Sequence, residues 1–381
     1  MSHEFPYRGL KVLDLGQGVA SPYCGMLLAL YGADVVKVEP PEGDWSRSLG
    51  KTYDSGRQTA MSLTFNRGKR SLTLDLKTEP ARAVLRRMAE GADVLIEGFR
   101  PGVAARLGVG YESLKSVNPG LIMLSVSGFG QQGPYSKRPV TDTAAQAFSG
   151  FIDTNRGPDG VPHRAPALLC DVATGMFAYQ SVATALYARR DCGVGRWIDV
   201  SLMAGGAAFL GHRPPEAWLE GGSPRPVNVP AGSYRTADGW LAIALVNEGQ
   251  YRRMCDVLGR PDLATDPRFD TFPHRADHET ILVADLNNIF PGESTAVWLE
   301  RLRAGDIICD RINTYQDWLA DPHVQEINAA TAIDHPRVGT MHFPRTPGAT
   351  AAAEAGLRSA PFNGEHTSDI LAEYGLTDLA D

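Results

Sequence analysis

Hydrophobic and polar positions in the first third of the chain fall into blocks that predict strands and helices in alternation. Four short apolar runs predict buried strands: Val12–Leu15, Val35–Val38, Val94–Ile96 and Leu121–Val126. Two stretches between them, Cys24–Tyr31 and Ala81–Glu90, carry apolar residues at helical spacing. The alternation predicts the α/β class, a parallel sheet with helices on its faces. Ligands of such sheets bind beyond the carboxyl ends of the strands.

The pattern changes in the second half of the chain. An Ala-rich amphipathic stretch, Asp171–Arg190, predicts a long helix, and Trp197–Leu202 predicts a further strand. The Pro- and Gly-rich stretch 211–232 is typical of a connection between domains. Residues 233–320 predict a second compact unit. Within this unit the sequence predicts a hairpin at 234–245 and helices at 251–258 and 278–288. After it, the sequence predicts a C-terminal helix at 367–374.

Length and charge narrow the class of protein. A chain of 381 residues is too long for one core, so two domains are expected. The formal net charge of −7 argues against a nucleic-acid-binding protein. No apolar run approaches the ~18 residues of a membrane span, and the polar N-terminus lacks the apolar core of a signal peptide. Five scattered cysteines without a CxxC pair, and histidines without metal-ligand spacing, predict a cytoplasmic protein with reduced thiols and no metal site.

The loop between the first strand and the first helix, 16–22, can present backbone N–H groups to a phosphate at the helix N-terminus. Gly16 and Gly18 match two positions of a dinucleotide-binding fingerprint, and Glu39 ends the second strand, where that fingerprint has a ribose-binding acid. Ser21 replaces the third glycine, which weakens the alternative of a nicotinamide-dependent oxidoreductase. A plain strand-to-helix turn is the other interpretation of this loop.

Basic residues cluster from the second strand onward: Arg47, Lys51, Arg67, Lys69, Arg70, Lys77, Arg100 and Arg106. Several cations would favour a ligand that carries a pyrophosphate and a further phosphate, because guanidinium and ammonium groups pair with phosphate oxygens. The competing interpretation is a solvated face of Lys and Arg side chains, and the residues taken alone favour it.

Two aspartates stand at predicted helix starts. Asp171 begins the long helix, between the apolar segments 165–170 and 172–177. Aspartate is a preferred helix cap, which is the structural interpretation. An acid with apolar flanks is expected to be at least partly buried, and a buried acid usually has a partner or a function. Asp142 follows the glycine-rich run 127–135 and precedes a small-residue helix, so a capping role fits it as well.

Taken together, these segments resemble the family III CoA-transferases, a group that includes formyl-CoA and carnitine CoA-transferases and 2-methylacyl-CoA racemases. The resemblance covers nearly the whole chain through ordered segments: Gly9–Leu15, Leu30–Pro40, Gly43–Asp44, Asn66–Leu72, Phe99–Gly102, Ser127–Tyr135, Thr236–Trp240, Leu258–Leu263, Asp266–Phe269 and Gly364–Thr367. Each match is weak alone, whereas their joint order and spacing are specific. The resemblance implies an enzyme that uses acyl-CoA and a small carboxylic acid as substrates and needs no prosthetic group.

The resemblance also implies an architecture. It predicts a Rossmann-like large domain with a parallel sheet, a smaller α+β domain, and two subunits interlocked as a homodimer. For this chain the large domain is expected to take residues 1–204, followed by a linker at 205–232 and the small domain at 233–320. Residues 321–381 are then a second linker and a return to the large domain.

The family's site residues can be carried onto matching positions. The nucleophilic aspartate maps onto Asp171, and its acidic partner maps onto Asp142. The positions expected to contact CoA are Gly18, Val19, Ala20, Arg47, Leu74, Lys77, Gly98, Phe99, Arg100 and Arg106. In the implied mechanism, Asp171 attacks the donor thioester to give a mixed anhydride. It then becomes an aspartyl-CoA thioester that passes CoA to the acceptor acid.

Three positions depart from the family pattern. Val19 replaces a glutamine that some members place near the acyl group, and Gly98 replaces the Asn that commonly precedes the Phe-Arg-Pro-Gly match. Thr141 stands where the racemases carry a histidine beside the acid. A racemase needs two groups to exchange the proton alpha to the thioester, and threonine cannot be that base. Transfer is therefore favoured over the alternative, a 2-methylacyl-CoA racemase, and a non-catalytic CoA-binding protein is a third interpretation.

Overall fold

Strands and helices alternate through the N-terminal half of the computed structural model, which describes residues 3–55, 57–157, 159–222 and 226–377. The strands in these ranges are β1 (Lys11–Asp14), β2 (Asp34–Glu39), β3 (Thr52–Tyr53), β4 (Gln58–Thr59), β5 (Arg70–Thr73), β6 (Val94–Glu97), β7 (Ile122–Ser127), β8 (Trp197–Ser201), β9 (Gly232–Arg235), β10 (Trp240–Ala244), β11 (Ile308–Arg311), β12 (Ala330–His335) and β13 (Gly339–Pro344). The α-helices are α1 (Ala20–Leu30), α2 (Ala60–Phe65), α3 (Glu79–Ala89), α4 (Val103–Arg106), α5 (Tyr111–Val117), α6 (Asp142–Phe148), α7 (Phe151–Thr154), α8 (Leu169–Cys192), α9 (Leu202–Leu210), α10 (Arg213–Glu220), α11 (Glu248–Val257), α12 (Pro261–Thr265), α13 (Phe272–Asp277), α14 (Glu279–Ile289), α15 (Thr295–Ala304), α16 (Tyr315–Ala320), α17 (Pro322–Glu326), α18 (Ala351–Gly356) and α19 (Thr367–Glu373). Over the described residues, no helix is both long and apolar enough to cross a membrane.

Six parallel strands form the central sheet, in the order β5-β2-β1-β6-β7-β8. The chain runs outward from β1 to β2 and β5. It then returns to place β6 beside β1 and continues in the other direction to β7 and β8. The strand order therefore reverses between β1 and β6. At such a reversal the connections that leave the two strands diverge, and a crevice opens at their carboxyl ends.

The sheet is buried on both faces. Successive residues of a strand point to opposite faces, so Leu13 and Val12 belong to different apolar layers. One layer joins the sheet to α3, α5 and α19, and the other joins it to α1 and α8. Most of these strands consequently carry short apolar runs, such as Val94–Ile96 in β6, whereas β5 has Leu72 as its one apolar residue and was not predicted.

The chain divides into two compact units, Met1–Pro214 with Asn328–Asp381, and Pro215–Ile327. The first unit contains the parallel sheet and the C-terminal hairpin β12–β13. The second unit has a core of its own. Its antiparallel sheet, in the order β11-β10-β9, packs with α11, α14 and α15 around Leu241, Met254 and Leu286.

The predicted strands of the first half and their parallel arrangement are confirmed. Within 205–232, predicted as a linker, the structure has the end of α9 and the whole of α10. Gly205 and Gly206 lower the helix propensity of α9, a helix that was not predicted. The structure explains both residues by close packing of α9 on α8. A Cβ on Gly205 would lie 2.1 Å from Thr174 Oγ1, and one on Gly206 would lie 2.6 Å from Cys170 Sγ.

Candidate active site

A cavity of about 670 Å³ lies at the carboxyl ends of β1 and β6, where the strand order reverses. Its walls include the loop after β1, the turn 98–101 after β6, the segment 126–128, Ser136 and the segment 138–143. Asp171, near the start of α8, completes it. All of these residues belong to the first unit. The location matches the one that the strand pattern predicts for a ligand site.

Buried ion pairs fix the position of the loop after β1. Lys69 Nζ lies 2.7 Å from Asp14 Oδ2, and Asp14 Oδ1 accepts the N–H of Gly16 at 2.9 Å. Lys37 Nζ lies 3.0 Å from Asp44 Oδ2 and also donates to the carbonyl of Gly16. Burial lowers the pKa of Lys69 to about 8, although Asp14 opposes this shift. The loop that forms one wall of the cavity is thus fixed by buried charges that lie outside the cavity lining.

Gly18 uses its backbone N–H within the loop itself. This N–H donates to both oxygens of Asp44, at 3.0 and 3.1 Å. Gly18 has a φ of +80°, and a Cβ there would lie 2.2 Å from the ring of Trp45. Glycine is therefore required by both the backbone conformation and the close approach of the indole.

Arg47 and Glu39 form a two-armed buried pair. The guanidinium donates to the two carboxylate oxygens at 2.7 and 2.8 Å, and Arg47 is only 6% exposed. Burial alone would raise the pKa of Glu39, but Arg47 outweighs it and holds this pKa at about 2. Glu39 therefore has no free oxygen for a ribose, which argues against the nicotinamide alternative. The solvated-face interpretation of the basic cluster is also wrong for Arg47 and for Lys69, which are both buried and paired.

Asp171 is the third residue of α8, not its cap. Leu168 occupies the N-cap position without a side-chain hydrogen bond. The main-chain N–H of Asp171 donates instead to Oδ2 of Asp142 at 3.0 Å, so a carboxylate from α6 satisfies this helix end. Among the described residues, no group donates to the Asp171 carboxylate, which faces the cavity. The carboxylate that caps the start of α8 is thus that of Asp142, and the carboxylate of Asp171 accepts no hydrogen bond from the described residues.

Asp142 is almost fully buried, at 4% exposure, and its second oxygen accepts from Gln146 Nε2 at 2.5 Å. Gln146 also bonds the main chain of Ala165 and Ala167, which ties the segment before α8 to α6. Burial raises the pKa of Asp171 to about 7, and the negative charge of Asp142 adds to the shift. A carboxylate with this pKa is a stronger base and nucleophile than an exposed one, yet it is substantially ionised at neutral pH.

The first turn of α8 also offers donors. Over the described residues, the N–H groups of Leu169 and Cys170 have no hydrogen-bond acceptor. Helix N-termini carry partial positive charge, so this end of a 24-residue helix favours an anion beside Asp171. The described residues contain no group of three or more His, Cys, Asp or Glu side chains placed to hold a metal ion.

Arg138 is a cavity residue that the sequence analysis missed. Its guanidinium lies 5.5 Å from the centre of the Phe129 ring and 5.6 Å from that of Tyr135. Phe148 packs edge-on against both rings, so the cation rests on a small aromatic cluster. Within the described residues, Arg138 and the other cavity cation, Arg100, have no carboxylate partner. The available signal was a basic residue directly after the glycine-rich run that follows β7.

The cavity brings together part of the predicted site. The predicted residues that line it are Val19, Ala20, Gly98, Phe99, Arg100, Asp142 and Asp171. The predicted residues outside the lining are Gly18, Arg47, Leu74, Lys77 and Arg106. Leu74 lies in an apolar layer of the sheet, whereas Lys77 and Arg106 are exposed. Thr141, where racemases carry a histidine, also lines the cavity.

The family model described as CoA-transferase family III matches residues 7–367. Succinyl-CoA–D-citramalate CoA-transferase of Chloroflexus aurantiacus is 33% identical over 395 residues, covering 99% of this chain and 97% of that protein. Succinate–glutarate CoA-transferase of Agrobacterium fabrum is 34% identical over 388 residues, covering 97% and 95%.

Solved structures give the same result. A CAIB/BAIF family protein from Brucella suis superposes with a TM-score of 0.85 at 34% identity, over 98% of this chain and 100% of that one. Rv3272 from Mycobacterium tuberculosis superposes with a TM-score of 0.82 at 30% identity, over 95% and 98%. With matches of this length, and with a free carboxylate in a cavity at the sheet's reversal point, the chain belongs to family III of the CoA-transferases, enzymes that use CoA thioesters as substrates.

Proposed function

We propose that this enzyme moves CoA from an acyl-CoA to a free carboxylic acid through an aspartyl-CoA thioester at Asp171. The observation that carries the proposal is the Asp171 carboxylate, which faces the cavity, accepts no hydrogen bond from the described residues and has its pKa raised to about 7. An ordinary structural aspartate would be paired or solvated. This one combines partial burial with access to a cavity large enough for an acyl group.

The chemistry proceeds in four displacements at carbonyl carbons. Asp171 attacks the donor thioester and expels CoA thiolate, which leaves a mixed anhydride between Asp171 and the acyl group. The thiolate attacks the Asp171 carbonyl and releases the first carboxylate, giving the aspartyl-CoA thioester. The acceptor carboxylate attacks that carbonyl and expels thiolate again. The thiolate then attacks the new acyl group and frees Asp171. No proton is consumed over the cycle, and the thioester bond energy is conserved.

Each displacement places a negative charge on a carbonyl oxygen beside the start of α8. We expect the unpaired N–H groups of Leu169 and Cys170, at the start of this helix, to stabilise such an oxyanion. One well-placed donor contributes about 3 kcal/mol to such a transition state. Asp142 acts through Asp171: it orients the Asp171 backbone and raises the basicity of the Asp171 carboxylate.

The decisive experiment traps the aspartyl thioester. Enzyme mixed with an acyl-CoA and then treated with hydroxylamine should carry a hydroxamate at Asp171, detected by peptide mass spectrometry. The variants D171A and D171N should show neither the modification nor CoA transfer. D191N, at the exposed far end of the same helix, is the matched control and should retain both. Transfer that survives in D171A would sink the mechanism.

Racemisation is the competing activity, and Thr141 counts against it. Threonine supplies no base at the position that would exchange the α-proton, so Asp171 would need another partner. Incubation of a 2-methylacyl-CoA in deuterium oxide separates the two activities. We expect CoA transfer without deuterium at the α-carbon. Deuterium uptake in the absence of an acceptor acid would favour the racemase.

For the substrates, we propose short dicarboxylic acids. Two similar enzymes are named for succinyl-CoA or succinate, with citramalate or glutarate as the other acid. In the cavity, the carboxylates of Asp142 and Asp171 repel a second anion, and Arg138 is an unpaired cation able to hold the distal carboxylate of a diacid. R138Q should lose about tenfold or more in kcat/KM for succinate but little for a monocarboxylate of equal length. K137Q, which alters an exposed neighbour outside the cavity lining, is the control.

Three further proposals rest on the resemblance. We propose that Gly18, Arg47, Leu74, Lys77 and Arg106, which lie outside the cavity lining, contact CoA together with the cavity residues. We also propose that the enzyme acts in the cytoplasm. Finally, we propose that two chains interlock through the connections near 205–232 and 320–360. K77A and R106A should each raise the KM for acyl-CoA about two- to tenfold, since exposed Lys and Arg side chains hold phosphates through single charged contacts. Sedimentation velocity should show a species with twice the mass of one chain.

A further inference from the structure

The turn after β6 is held by a carboxylate that the mechanism above does not use. Glu97, the last residue of β6, is 3% exposed, and its Oε2 accepts the N–H of Phe99 at 2.7 Å. Glu97 is the register partner of Ser125 on β7, and the Ser125 hydroxyl lowers the pKa of this carboxylate. Ser125 Oγ in turn accepts the indole N–H of Trp197 at 2.9 Å. The bond from the Phe99 N–H is thus the hydrogen bond by which Glu97 holds the turn that borders the cavity.

Comparison with Glu39 shows what is unusual about Glu97. Both glutamates end a strand of the central sheet and both are buried. Glu39 carries a two-armed pair with Arg47, whereas Glu97 has no Lys, Arg or His within ion-pair distance among the described residues. Burial raises the pKa of Glu97 to about 7 against the hydrogen bonds from Ser125 and Phe99, and the negative charge of Asp199 on β8 adds to the shift. A buried carboxylate without a cation destabilises a fold. A contribution to stability therefore does not explain why a glutamate occupies position 97.

The turn that Glu97 holds is part of the site. All four residues of the turn, 98–101, line the cavity, and the turn supplies the cavity cation Arg100. Gly98 also lies against the loop after β1, because a Cβ there would come within 3.1 Å of Ser21 Oγ. A shift of this turn would therefore move Phe99 and Arg100 and would change the width of the crevice between the two loops.

We propose that Glu97 is a positioning residue of the transferase site: by accepting the Phe99 N–H, it fixes the turn that presents Phe99 and Arg100 to the bound CoA thioester. This inference rests on the proposal above that the cavity binds acyl-CoA. It adds that affinity for the thioester depends on a buried hydrogen-bond acceptor that does not touch it. The role requires the acceptor, so glutamine at this position preserves it and alanine does not.

The first test needs no substrate. Hydrogen–deuterium exchange of the free enzyme should show faster exchange in E97A than in wild type for the peptide spanning 97–102, by about tenfold, since one buried hydrogen bond is lost. E97Q should exchange within about threefold of wild type, because its amide oxygen still accepts the Phe99 N–H. Equal exchange in E97A and wild type would overturn the proposal, whatever the catalytic mechanism.

The second test separates positioning from general destabilisation. E97A should raise the KM for acyl-CoA about tenfold and change kcat less than threefold, while E97Q stays near wild type in both. A double-mutant cycle with R100A gives the route of the effect: if Glu97 acts through the turn, E97A combined with R100A should raise KM little further than R100A alone. Additive effects, or a fall in kcat with KM unchanged, would contradict the proposal.

The two proposals can fail independently. If no hydroxamate forms at Asp171 in wild type, the aspartyl mechanism fails, while the exchange rates and the KM effects of E97A still decide the role of Glu97. If E97A unfolds, E97L replaces it, because leucine fills a similar volume without a hydrogen-bond acceptor. E97L should then raise the exchange at 97–102 and the KM for acyl-CoA as expected for E97A. An E97L enzyme with wild-type KM and wild-type exchange at 97–102 would overturn the proposal.

Discussion

Asp171 must be negatively charged to attack a thioester, although its surroundings disfavour that charge. Burial, with Asp142 as the second cause, raises its pKa to about 7. We therefore expect kcat/KM to rise with pH through about 7 and to fall about tenfold per pH unit below it, because the protonated acid is not nucleophilic. Initial rates between about pH 5.5 and 8.5 give the midpoint. A profile that stays flat over this range would show that Asp171 is fully ionised in the free enzyme.

The same shift predicts how stability depends on pH. The folded pKa of Asp171 is near 7 and the unfolded value is near 3.8, so between them the folded state keeps a proton that the unfolded state has lost. Stability therefore falls as pH rises across this window, and the loss is complete above pH 7. Asparagine at this position removes the effect. At pH 8, D171N should be more stable than wild type by up to about 4 kcal/mol in free energy of unfolding, and its unfolding temperature should be higher. This difference in stability should shrink toward zero near pH 4.

Thermal unfolding of D171N and wild type at both pH values measures this difference. D191N is again the control, since Asp191 is exposed and its replacement should change the midpoint little at either pH. If D171N raised the unfolding midpoint equally at pH 4 and pH 8, the cause would be the packing of the asparagine side chain and not the loss of the Asp171 charge.

At the scale of single residues, the sequence predicts which aspartates matter but not how they are held. Resemblance to the family predicts roles for Asp171 and Asp142, which both line the cavity, and the apolar flanks of Asp171 correctly indicated partial burial. The pairing of Lys69 with Asp14, or of Arg47 with Glu39, was not predictable. Lys69 and Asp14 are separated by 55 positions and meet only because β1, β2 and β5 are neighbours in the sheet. A basic residue looks the same in the sequence whether it faces solvent or closes a buried pair.

At the scale of elements, strands were easier to predict than helices with glycine. Most parallel strands of the buried sheet carry a short apolar run, as β6 does, whereas β5 carries only Leu72 and was not predicted. Helix α9 carries two adjacent glycines, which intrinsic propensity counts against a helix. The packing of α9 on α8 requires those glycines, and this information lies in the tertiary contact. The same physics operates at Gly175, within α8.

Gly175 lies one turn after Asp171, where α8 crosses α1. A Cβ at this position would lie 2.8 Å from the carbonyl oxygen of Ala20 and 2.9 Å from the ring of Tyr23. Alanine normally stabilises a helix interior by up to about 1 kcal/mol relative to glycine. Here the clash outweighs that gain, and we expect G175A to cost about 1–3 kcal/mol. Because the helices must separate, Asp171 moves with α8, and kcat should fall as well.

Urea unfolding and steady-state kinetics of G175A test both effects. The matched control is G91A, since a Cβ on Gly91 meets nothing within 4 Å and should leave stability and kcat nearly unchanged. A G175A enzyme as stable and as active as G91A would mean that the crossing of α1 and α8 tolerates an added methyl group.

At the scale of the whole molecule, the first unit is assembled from two distant parts of the chain. Its C-terminal segment supplies Ile370 and Leu371, both fully buried in the apolar layer that contains α3. Arg70 on β5 joins Asp34 on β2 to Glu373 on α19, at 2.7 Å to each. The edge of the parallel sheet near β5 is thus completed by residues from the C-terminal segment.

The second unit, in contrast, is continuous in sequence and carries its own core. Pro215–Ile327 contains every residue of the cluster around Leu241, Met254 and Leu286. We therefore expect this fragment, expressed alone, to fold cooperatively, with dispersed amide resonances and a single sharp unfolding transition. The fragment 1–214 should fail to reach a native state, because without the C-terminal segment the layer against α3 loses its buried Ile370 and Leu371. A cooperatively folded 1–214 fragment would show that the C-terminal segment covers the sheet without being needed to form it, and the discontinuous organisation would then be a feature of the final structure and not a requirement of folding.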